Sequence, residues 1–209
     1  MKIGILSDIH GGLVELIRAL AVFRREQVDL IVCAGDLVDF GTWGDEIVKR
    51  IVDLRIPCVR GNHDRDAAER QRLRLDQPKY GFPVKQLNPE TLMHLAQLPP
   101  QLRYIWEGTS ILLTHANPWG DDTYVYPTST LALFRRVIET SDADITILGH
   151  THRPMQIESA GKLILNAGST SANYDHAFGT CGILVLPARQ FRLLNIQTGT
   201  DVAISPRSL

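Results

Sequence analysis

The chain has 209 residues, of which 44% are hydrophobic, and a formal net charge of −1 at pH 7. This length predicts one compact domain with room for a large core. Because Lys and Arg are spread along the chain, bulk nucleic acid and an acidic membrane surface are not expected as partners. No apolar run has transmembrane length, and the first strand begins at Lys2 without a leader, so we expect no export and a cytoplasmic location.

The first half of the chain alternates predicted strands and helices. After the first strand, Gly11-Gly12 opens a helix whose apolar residues, from Leu13 to Phe23, recur at helical spacing. A second helix begins at Asp45-Glu46 and ends before Pro57, which introduces the next strand. This βαβα alternation predicts parallel strands and an α/β fold.

The middle of the chain is less regular. Residues 65–87 are rich in charged side chains and predict a helix followed by a surface excursion. Asn88-Pro89-Glu90 supplies an N-cap, a first-turn proline and a first-turn acid for a short helix. A loop over residues 116–127 then leads into a helix with apolar residues from Leu131 to Ile138.

The last part of the chain predicts strands and turns. Four strands are expected, over residues 155–159, 162–166, 182–187 and 191–196. Such meanders favour antiparallel pairing, with Ala160-Gly161 as a hairpin turn. We therefore predict a single domain over residues 1–196 and a loose C-terminal tail over residues 197–209.

Five short apolar runs end at side chains that can bind metal ions. They occupy residues 3–10, 30–36, 58–64, 111–115 and 145–152. Such runs predict buried strands, and residues at the carboxyl ends of strands line the crevice where open α/β sheets bind ligands. The side chains at these ends are Asp8, His10, Asp36, Asn62, His63, His115, His150 and His152. Carboxylate, imidazole and amide groups in one crevice suit two divalent metals.

Each motif also has a simpler interpretation when taken alone. Asp8 and His10 would project to the same side of an extended strand end and bind one ion, or be ordinary polar residues there. Gly149-His150-Thr151-His152 favours metal more strongly, because it presents two imidazoles. In Gly61-Asn62-His63-Asp64, glycine permits a close backbone approach beside an amide oxygen and a titratable group.

The cysteines are not expected to take part in this chemistry. Cys33, Cys58 and Cys181 are odd in number and form no Cys-x-x-Cys pair. Reduced thiols in a cytoplasmic protein fit this count, and we expect these residues to pack as small apolar side chains in the core.

Together, these motifs resemble the calcineurin-like metallophosphoesterases. The resemblance runs over residues 1–196 and is nearest to the small bacterial phosphodiesterase branch. In that branch, Gly-His-Thr-His-Arg-Pro and a later Asn-x-Gly-Ser are similar to residues 149–154 and 166–169. The resemblance implies a four-layer αββα sandwich of two mixed β-sheets flanked by helices, the metallo-dependent phosphatase fold.

The resemblance also implies roles for individual residues. It assigns Asp8, His10 and His152 to the first of two metal ions. It assigns Asn62, His115 and His150 to the second ion, and Asp36 would bridge the two. A hydroxide bridging two ions roughly 3.5 to 4 Å apart can then attack phosphorus in line. His63, which is not needed as a ligand, is assigned to the leaving-group oxygen as general acid or cationic stabiliser. Asp39 matches the family acid that can hold such an imidazole and raise its pKa, and its alternative interpretation is an ordinary surface acid.

The activity implied is hydrolysis of a small phosphodiester or phosphomonoester. The protein-phosphatase branch places an arginine after the acid matched by Asp39, but this chain has Phe40, which disfavours that branch. Phosphate binding then falls to the metals and His63, with Arg65 and Arg153 as further candidates that could equally be solvated. A nuclease is disfavoured because no basic stripe runs along the chain.

Several alternatives stay open at the level of sequence. Four imidazoles, two carboxylates and one amide oxygen fit Mn, Fe, Zn, Ni or Co better than Ca, and the resemblance makes manganese the first choice. The loop residues Trp119, Tyr124 and Tyr126 could stack on a base or aryl group, or pack in the core or an interface. A homo-oligomer is left open. The alternative function is a non-catalytic or weakly catalytic metal-binding scaffold for protein interaction, similar to the retromer subunit of this fold.

Overall fold

A computed structural model describes residues 1–72, 86–121, 123–171 and 175–208, with the backbone alone for residues 71 and 72. The helices are α1 (Leu13–Arg25), α2 (Gly44–Asp53), α3 (Asn62–Arg72), α4 (Pro89–Gln97) and α5 (Leu131–Ser141). The strands are β1 (Lys2–Leu6), β2 (Leu30–Cys33), β3 (Gln101–Trp106), β4 (Thr109–Thr114), β5 (Ile145–Leu148), β6 (Met155–Ser159), β7 (Lys162–Asn166), β8 (Thr180–Val185), β9 (Gln190–Asn195), β10 (Asp201–Val202) and β11 (Arg207–Ser208).

The strands form two mixed sheets. The first has the order β10-β9-β8-β1-β2, and the second has the order β11-β6-β7-β5-β4-β3. Strands β1 and β2 are parallel, as the strand–helix–strand pattern predicts, and so are β4 with β5 and β5 with β7. The predicted antiparallel pairs are confirmed for β6 with β7 and for β8 with β9.

Packing arranges these elements in four layers. Strand β1 shows why: its alternate residues Ile3 and Ile5 pack between the two sheets, while Leu6 lies in the cluster shared with the helices. Helices α1 and α2 cover the outer face of the first sheet, and α5 covers the second. The fold is therefore α/β, with two mixed sheets flanked by helices, and the predicted αββα sandwich is confirmed.

Local sequence explains several helix boundaries. In α1 the buried residues Leu16, Ala19 and Phe23 recur every three or four positions, so one apolar stripe faces the sheet. Asn88 caps α4 as predicted, because its side-chain oxygen accepts a hydrogen bond from Thr91 N at 2.8 Å. No helix within the described ranges combines the length and apolarity needed to cross a membrane.

The run at residues 58–60 is not a strand, contrary to the prediction. Cys58 makes only an isolated parallel bridge with Cys33. Pro57 accepts a hydrogen bond from Cys33 N at 2.8 Å but has no N–H to continue a ladder. Helix α3 then begins at Asn62, earlier than the helix expected from residue 65. The surface excursion predicted up to residue 87 falls largely on residues 73–85, which lie outside the described ranges.

The C-terminal segment also differs from the loose tail expected over residues 197–209. Strand β10 continues the first sheet, where Asp201 pairs with Leu194. Strand β11 pairs parallel with β6 at the edge of the second sheet. The segment therefore touches both sheets, while the division of the chain at residue 196 stays a prediction. The three cysteines are free and buried, as expected.

Candidate metal centre

Loops from both sheets bring the predicted site residues together. Asp8 and His10 follow β1, and Asp36 follows β2 in the first sheet, while the segments after β4 and β5 come from the second sheet. Three groups of side chains could each hold a metal ion, because the possible ligand atoms within each group lie within 4.8 Å of one another. They are Asp8, His10 and His152; His10, Asp36 and His63; and Asp36, His115 and His150. Because His10 and Asp36 each belong to two groups, the groups form one continuous cluster.

Distances within the cluster show where the side chains converge. Nε2 of His10 lies 2.9 Å from Nε2 of His152 and 3.8 Å from Oδ2 of Asp36. On the other side, Nε2 of His115 lies 3.2 Å from the same Asp36 oxygen and 3.0 Å from Oδ1 of Asn62. The Asp36 carboxylate therefore lies between the two halves of the cluster.

The backbone reaches this arrangement through left-handed conformations. The φ angles are 52° at Asp8, 47° at His10, 57° at Asp36, 68° at His150 and 53° at His152. The expectation that Asp8 and His10 project from an extended strand end is therefore wrong, since β1 ends at Leu6. Each such non-glycine residue costs roughly 1–3 kcal/mol, and backbone strain of this kind concentrates at functional sites.

Two glycines leave the space that the cluster needs. A Cβ at Gly61 would lie 2.0 Å from Oδ1 of Asp36, and one at Gly149 would lie 2.0 Å from Oγ of Ser7. The same Asp36 oxygen accepts a hydrogen bond from His63 N at 2.9 Å. Glycine at both positions permits this close approach, which the sequence motif predicted for Gly61.

Backbone carbonyl groups orient two of the imidazoles. Nδ1 of His10 lies 3.1 Å from Val38 O, and Nδ1 of His115 lies 2.7 Å from Ala34 O. A proton on Nδ1 in each ring leaves Nε2 to face the cluster, which is the arrangement found for most metal-binding histidines. Nε2 of His150 is buried and has no hydrogen-bond partner in the described part of the chain. A divalent ion would give this nitrogen a partner, so the donors fit a metal site.

The protonation states of Asp36 and His150 suit a bound cation, whereas His115 must lose a proton before it can bind one. Although burial favours the neutral carboxyl, the charge and hydrogen bond of His115 hold the pKa of Asp36 well below its usual range. Burial lowers the pKa of His115, but the charge and hydrogen bond of Asp36 outweigh it and raise that pKa to about 10. Burial and the charge of His115 lower the pKa of His150 to about 4, so His150 is a neutral donor at pH 7.

His63 belongs to the cluster through its group with His10 and Asp36, and it also takes part in a hydrogen-bonded chain with Asp39 and Arg70. Its Nδ1 lies 2.9 Å from Oδ2 of Asp39, as the resemblance implied. Burial lowers the pKa of His63, but the hydrogen bond to Asp39 and the charge of Asp36 outweigh it, so the pKa is raised. Arg70 Nη2 contacts the same carboxylate, 3.1 Å from Oδ1 and 2.8 Å from Oδ2 of Asp39.

A cavity of about 680 Å³ opens onto this cluster. Its lining includes residues of the cluster and its neighbours, which are Asp36, Asn62, His63, His150 and His152, together with Phe40, Tyr124, Tyr126, Arg153 and Asp175. This volume is in the usual range for a small-molecule site.

The arginines and aromatic residues left open by the sequence have distinct positions. Arg153 lines the cavity, and its Nη1 lies 2.6 Å from Oδ1 of Asp175. Arg65 is paired with Asp121 and Asp66 and lines a neighbouring pocket instead. Trp119 packs against the apolar cluster under α5, which includes Phe134, Val137 and Leu148. The Arg136 guanidinium lies 3.9 Å from the centre of the Trp119 ring.

Sequence reasoning missed several supporting residues. The buried carboxylate of Asp64 accepts hydrogen bonds from the backbone N–H groups of Asp36, Leu37 and Gly61, at 2.9, 2.8 and 3.0 Å. Its place in the first turn of α3 was a usable signal, because carboxylates are favoured there. Arg70 could have been found from its position seven residues after His63, on the same helix face.

Two serines contact Asp8, and although Ser169 ends the Asn-x-Gly-Ser motif, that motif does not indicate the contact. Ser7 Oγ donates a hydrogen bond to Asp8 Oδ2, and Ser169 Oγ donates one to Asp8 O at 2.7 Å. Since Ser169 is 161 residues from Asp8 in the chain, only the folded structure reveals their contact.

Comparison with known proteins identifies the family of the chain and several relatives. A sequence profile described as the calcineurin-like phosphoesterase superfamily domain matches residues 1–187. The uncharacterized protein MJ0912 of Methanocaldococcus jannaschii is 28% identical over 183 residues, which cover 84% of this chain and 72% of that protein. Phosphodiesterase MJ0936 of the same organism is 24% identical over 194 residues, which cover 92% and 97% of the two chains. The crystal structure of a metallophosphoesterase from Sphaerobacter thermophilus superimposes with a TM-score of 0.72 at 25% identity, covering 91% of this chain and 85% of that one.

Proposed function

The chain belongs to the calcineurin-like phosphoesterase superfamily, and we propose that it hydrolyses a small phosphodiester or phosphomonoester with two divalent metal ions. The observation that carries the proposal is the position of Asp36. Its Oδ2 lies 3.8 Å from Nε2 of His10 and 3.2 Å from Nε2 of His115, between two groups of donors. A carboxylate in that position can serve both ions at once.

The other ligands follow from the same grouping. Asp8, His10 and His152 would hold one ion, and Asn62, His115 and His150 the other, with Asp36 shared. When bound, two such ions supply a hydroxide nucleophile and Lewis-acid stabilisation of the phosphoryl charge.

Protein groups would complete the reaction. His63 lines the cavity, and its Nδ1 contact with Asp39 favours the charged imidazolium. A charged imidazole at this position can donate a proton to the leaving-group oxygen or stabilise the charge that develops there. Arg70 and Asp39 would act as positioning residues, because they hold the imidazole ring and do not line the reacting centre.

Substrate class is supported by the shape and charge of the site. A cavity of about 680 Å³ accommodates a small ester, and a phosphate group carries the negative charge that a dinuclear centre attracts. The name of the relative MJ0936 favours a diester over a monoester. The near-zero net charge disfavours a long nucleic acid as substrate.

Manganese and a cytoplasmic location are also part of the proposal. Imidazole, carboxylate and amide donors without a thiolate suit manganese, and Fe, Zn, Ni and Co are the alternatives. Three free, buried cysteines fit a reducing compartment.

An activity panel tests the proposal. Purified protein is assayed with each of the five metals on cyclic nucleotides, dinucleotides, phospholipid diesters and phosphomonoesters. We expect hydrolysis of at least one class, and Asp36→Asn should lower it roughly a thousandfold, because Lewis-acid stabilisation is worth several kcal/mol. Asp53→Asn, an exposed carboxylate on α2, is the matched control and should retain activity. Metal binding without hydrolysis of any class would favour the scaffold function instead.

A further inference from the structure

Two tyrosines form a row of flat rings that begins at the candidate metal centre. The ring centre of Tyr124 lies 4.0 Å from that of His150, and the two planes are inclined by only 26°. The Tyr126 ring is nearly parallel to that of Tyr124, at 8° and a centre distance of 5.7 Å. Both rings line the cavity, and they are 47% and 37% exposed. Tyr124 therefore contacts one of the donor rings, and Tyr126 adds a second flat ring to the lining of the same cavity.

The segment that carries these rings is anchored on both sides. Val125, between them, is only 1% exposed and packs against the cluster under α5. Tyr126 N donates to Ser129 Oγ at 2.9 Å, and Ser129 N donates back to Tyr126 O at 2.9 Å. On the other side, Asn117 Nδ2 donates to Thr123 O at 2.9 Å. The tyrosines are thus held in place before any ligand binds, which lowers the entropic cost of binding.

The position of Tyr126 is not explained by support of the metal centre. Tyr124 contacts His150 directly and could serve only to orient that imidazole. Tyr126 contacts Tyr124, and its own ring lines the cavity and is partly exposed there. Exposed, pre-positioned aromatic faces in a cavity are typical of sites that stack on flat ligand groups.

We propose that Tyr124 and Tyr126 form a stacking wall that binds a flat aromatic group of the substrate, either a nucleobase or an aryl group. This inference rests on the proposed phosphoesterase function and names the substrate class of the same site. The phosphate would lie over the donors, and the aromatic group would lie against the tyrosines. Stacking of a base on an aromatic side chain contributes roughly 5- to 150-fold in affinity.

The test uses four phosphodiesters that share a trifluoroethyl leaving group, and fluorine NMR measures the release of trifluoroethanol from each of them. The second ester group is thymidine or abasic deoxyribose in one pair, and benzyl or methyl in the other. We expect kcat/KM to favour the aromatic member of at least one pair by roughly 5- to 150-fold. The pair that shows the preference identifies the source, nucleobase or aryl.

Variants of Tyr126 test whether the preference for the aromatic ester depends on the stacking wall. In Tyr126→Ser the ratio within the preferred pair should fall toward one through KM, because one of the two rings is lost, and Tyr126→Phe should keep the wild-type ratio, because the flat ring alone is needed. Met93→Ser, at an exposed position on α4, is the control and should keep the wild-type ratio. A wild-type ratio near one in both pairs, or an unchanged ratio in Tyr126→Ser, would overturn the inference.

A binding measurement separates this inference from the proposed function. Isothermal titration calorimetry compares thymidine 5′-monophosphate with deoxyribose 5-phosphate, and benzyl phosphate with methyl phosphate. Preferential binding of an aromatic member that Tyr126→Ser removes would support the wall even if no ester were hydrolysed. Equal binding within both pairs would overturn the wall while leaving any measured hydrolysis in place.

Discussion

The guanidinium of Arg70 contacts both carboxylate oxygens of Asp39, at 3.1 and 2.8 Å. The same carboxylate receives Nδ1 of His63 at 2.9 Å. His63 and Arg70 are seven residues apart on α3, which is about two helical turns, so one helix face supplies both partners of Asp39. Helix α3 therefore fixes the carboxylate and, through it, the plane of the imidazole.

Replacement of this carboxylate should change the pH dependence of the reaction. Asp39 raises the pKa of His63, so Asp39→Asn should lower that pKa and move the basic limb of kcat/KM to lower pH. In the wild type, the raised pKa contributes stability below the unfolded value of about 6.5, and this contribution is lost as pH rises through the folded pKa. NMR titration of His63 before metal addition provides an independent measurement. An unchanged pKa and pH profile in Asp39→Asn would contradict this role.

The role of His63 itself can be tested with leaving groups of different basicity. His63→Asn should lower kcat by about 100- to 10,000-fold for esters with an alkoxide leaving group, which needs a proton. The loss should be much smaller for p-nitrophenolate, which leaves without protonation. Metal content of the variant should match the wild type, since Asn62 is retained. If His63→Asn turned over both types of ester as fast as the wild type does, His63 would be excluded from leaving-group assistance.

Local sequence was sufficient to predict most of the fold. The apolar spacing in α1, the cap at Asn88 and the turn at Ala160-Gly161 are signals within a few residues of the structure they specify. The resemblance then supplied the pairing of two mixed sheets, which local spacing does not determine. The run at residues 58–60 was misassigned because its apolar composition suits a strand, while pairing depends on distant neighbours.

The site was predictable to a similar degree. The side chains that approach one another carry recognisable motifs, but their left-handed backbone at Asp8, His10 and His152 does not follow from residue type. Supporting contacts such as Ser169 with Asp8 join segments far apart in the chain. Only tertiary packing determines which of many serines reaches such a position.

Metal binding should release protons at neutral pH. Before metal binds, Nε2 of His115 lies 3.2 Å from Asp36, whose charge raises the pKa of His115 to about 10. An ion bound to this nitrogen must displace a proton, so its affinity should rise by about tenfold per pH unit for each proton released. The stability that the His115–Asp36 pair contributes without metal is present below about pH 6.5 and is lost as pH rises through about 10.

Calorimetry in two buffers of different ionisation enthalpy measures this release. At pH 7 the apparent enthalpy of Mn²⁺ binding should differ between the two buffers by at least the difference in their ionisation enthalpies, which corresponds to the release of one proton. His115→Ala should reduce the difference. A binding enthalpy that is independent of the buffer would show that no protonated donor is displaced.

Asp64 should contribute to stability more than to chemistry. Its carboxylate accepts three buried backbone N–H groups, from Asp36, Leu37 and Gly61. Asp64→Ala leaves these donors unsatisfied and should lower the free energy of unfolding by roughly 3 kcal/mol. Urea denaturation measures the change. Asp53→Ala, which removes an exposed pair with Lys49, is the control and should change stability by less than about 1 kcal/mol.

Gly61 provides a test of the geometry around Asp36. In Gly61→Ala the new methyl group would lie 2.0 Å from Oδ1 of Asp36 and 2.4 Å from its backbone nitrogen, so the carboxylate must move. A shift of about 1 Å at the reacting centre can cost about a hundredfold in rate, and we expect at least this loss in kcat together with weaker Mn²⁺ binding. Gly120→Ala is the matched control, because a Cβ there meets no atom within 4 Å. Full activity and metal affinity in Gly61→Ala would mean that Asp36 does not hold the ions from the position seen here.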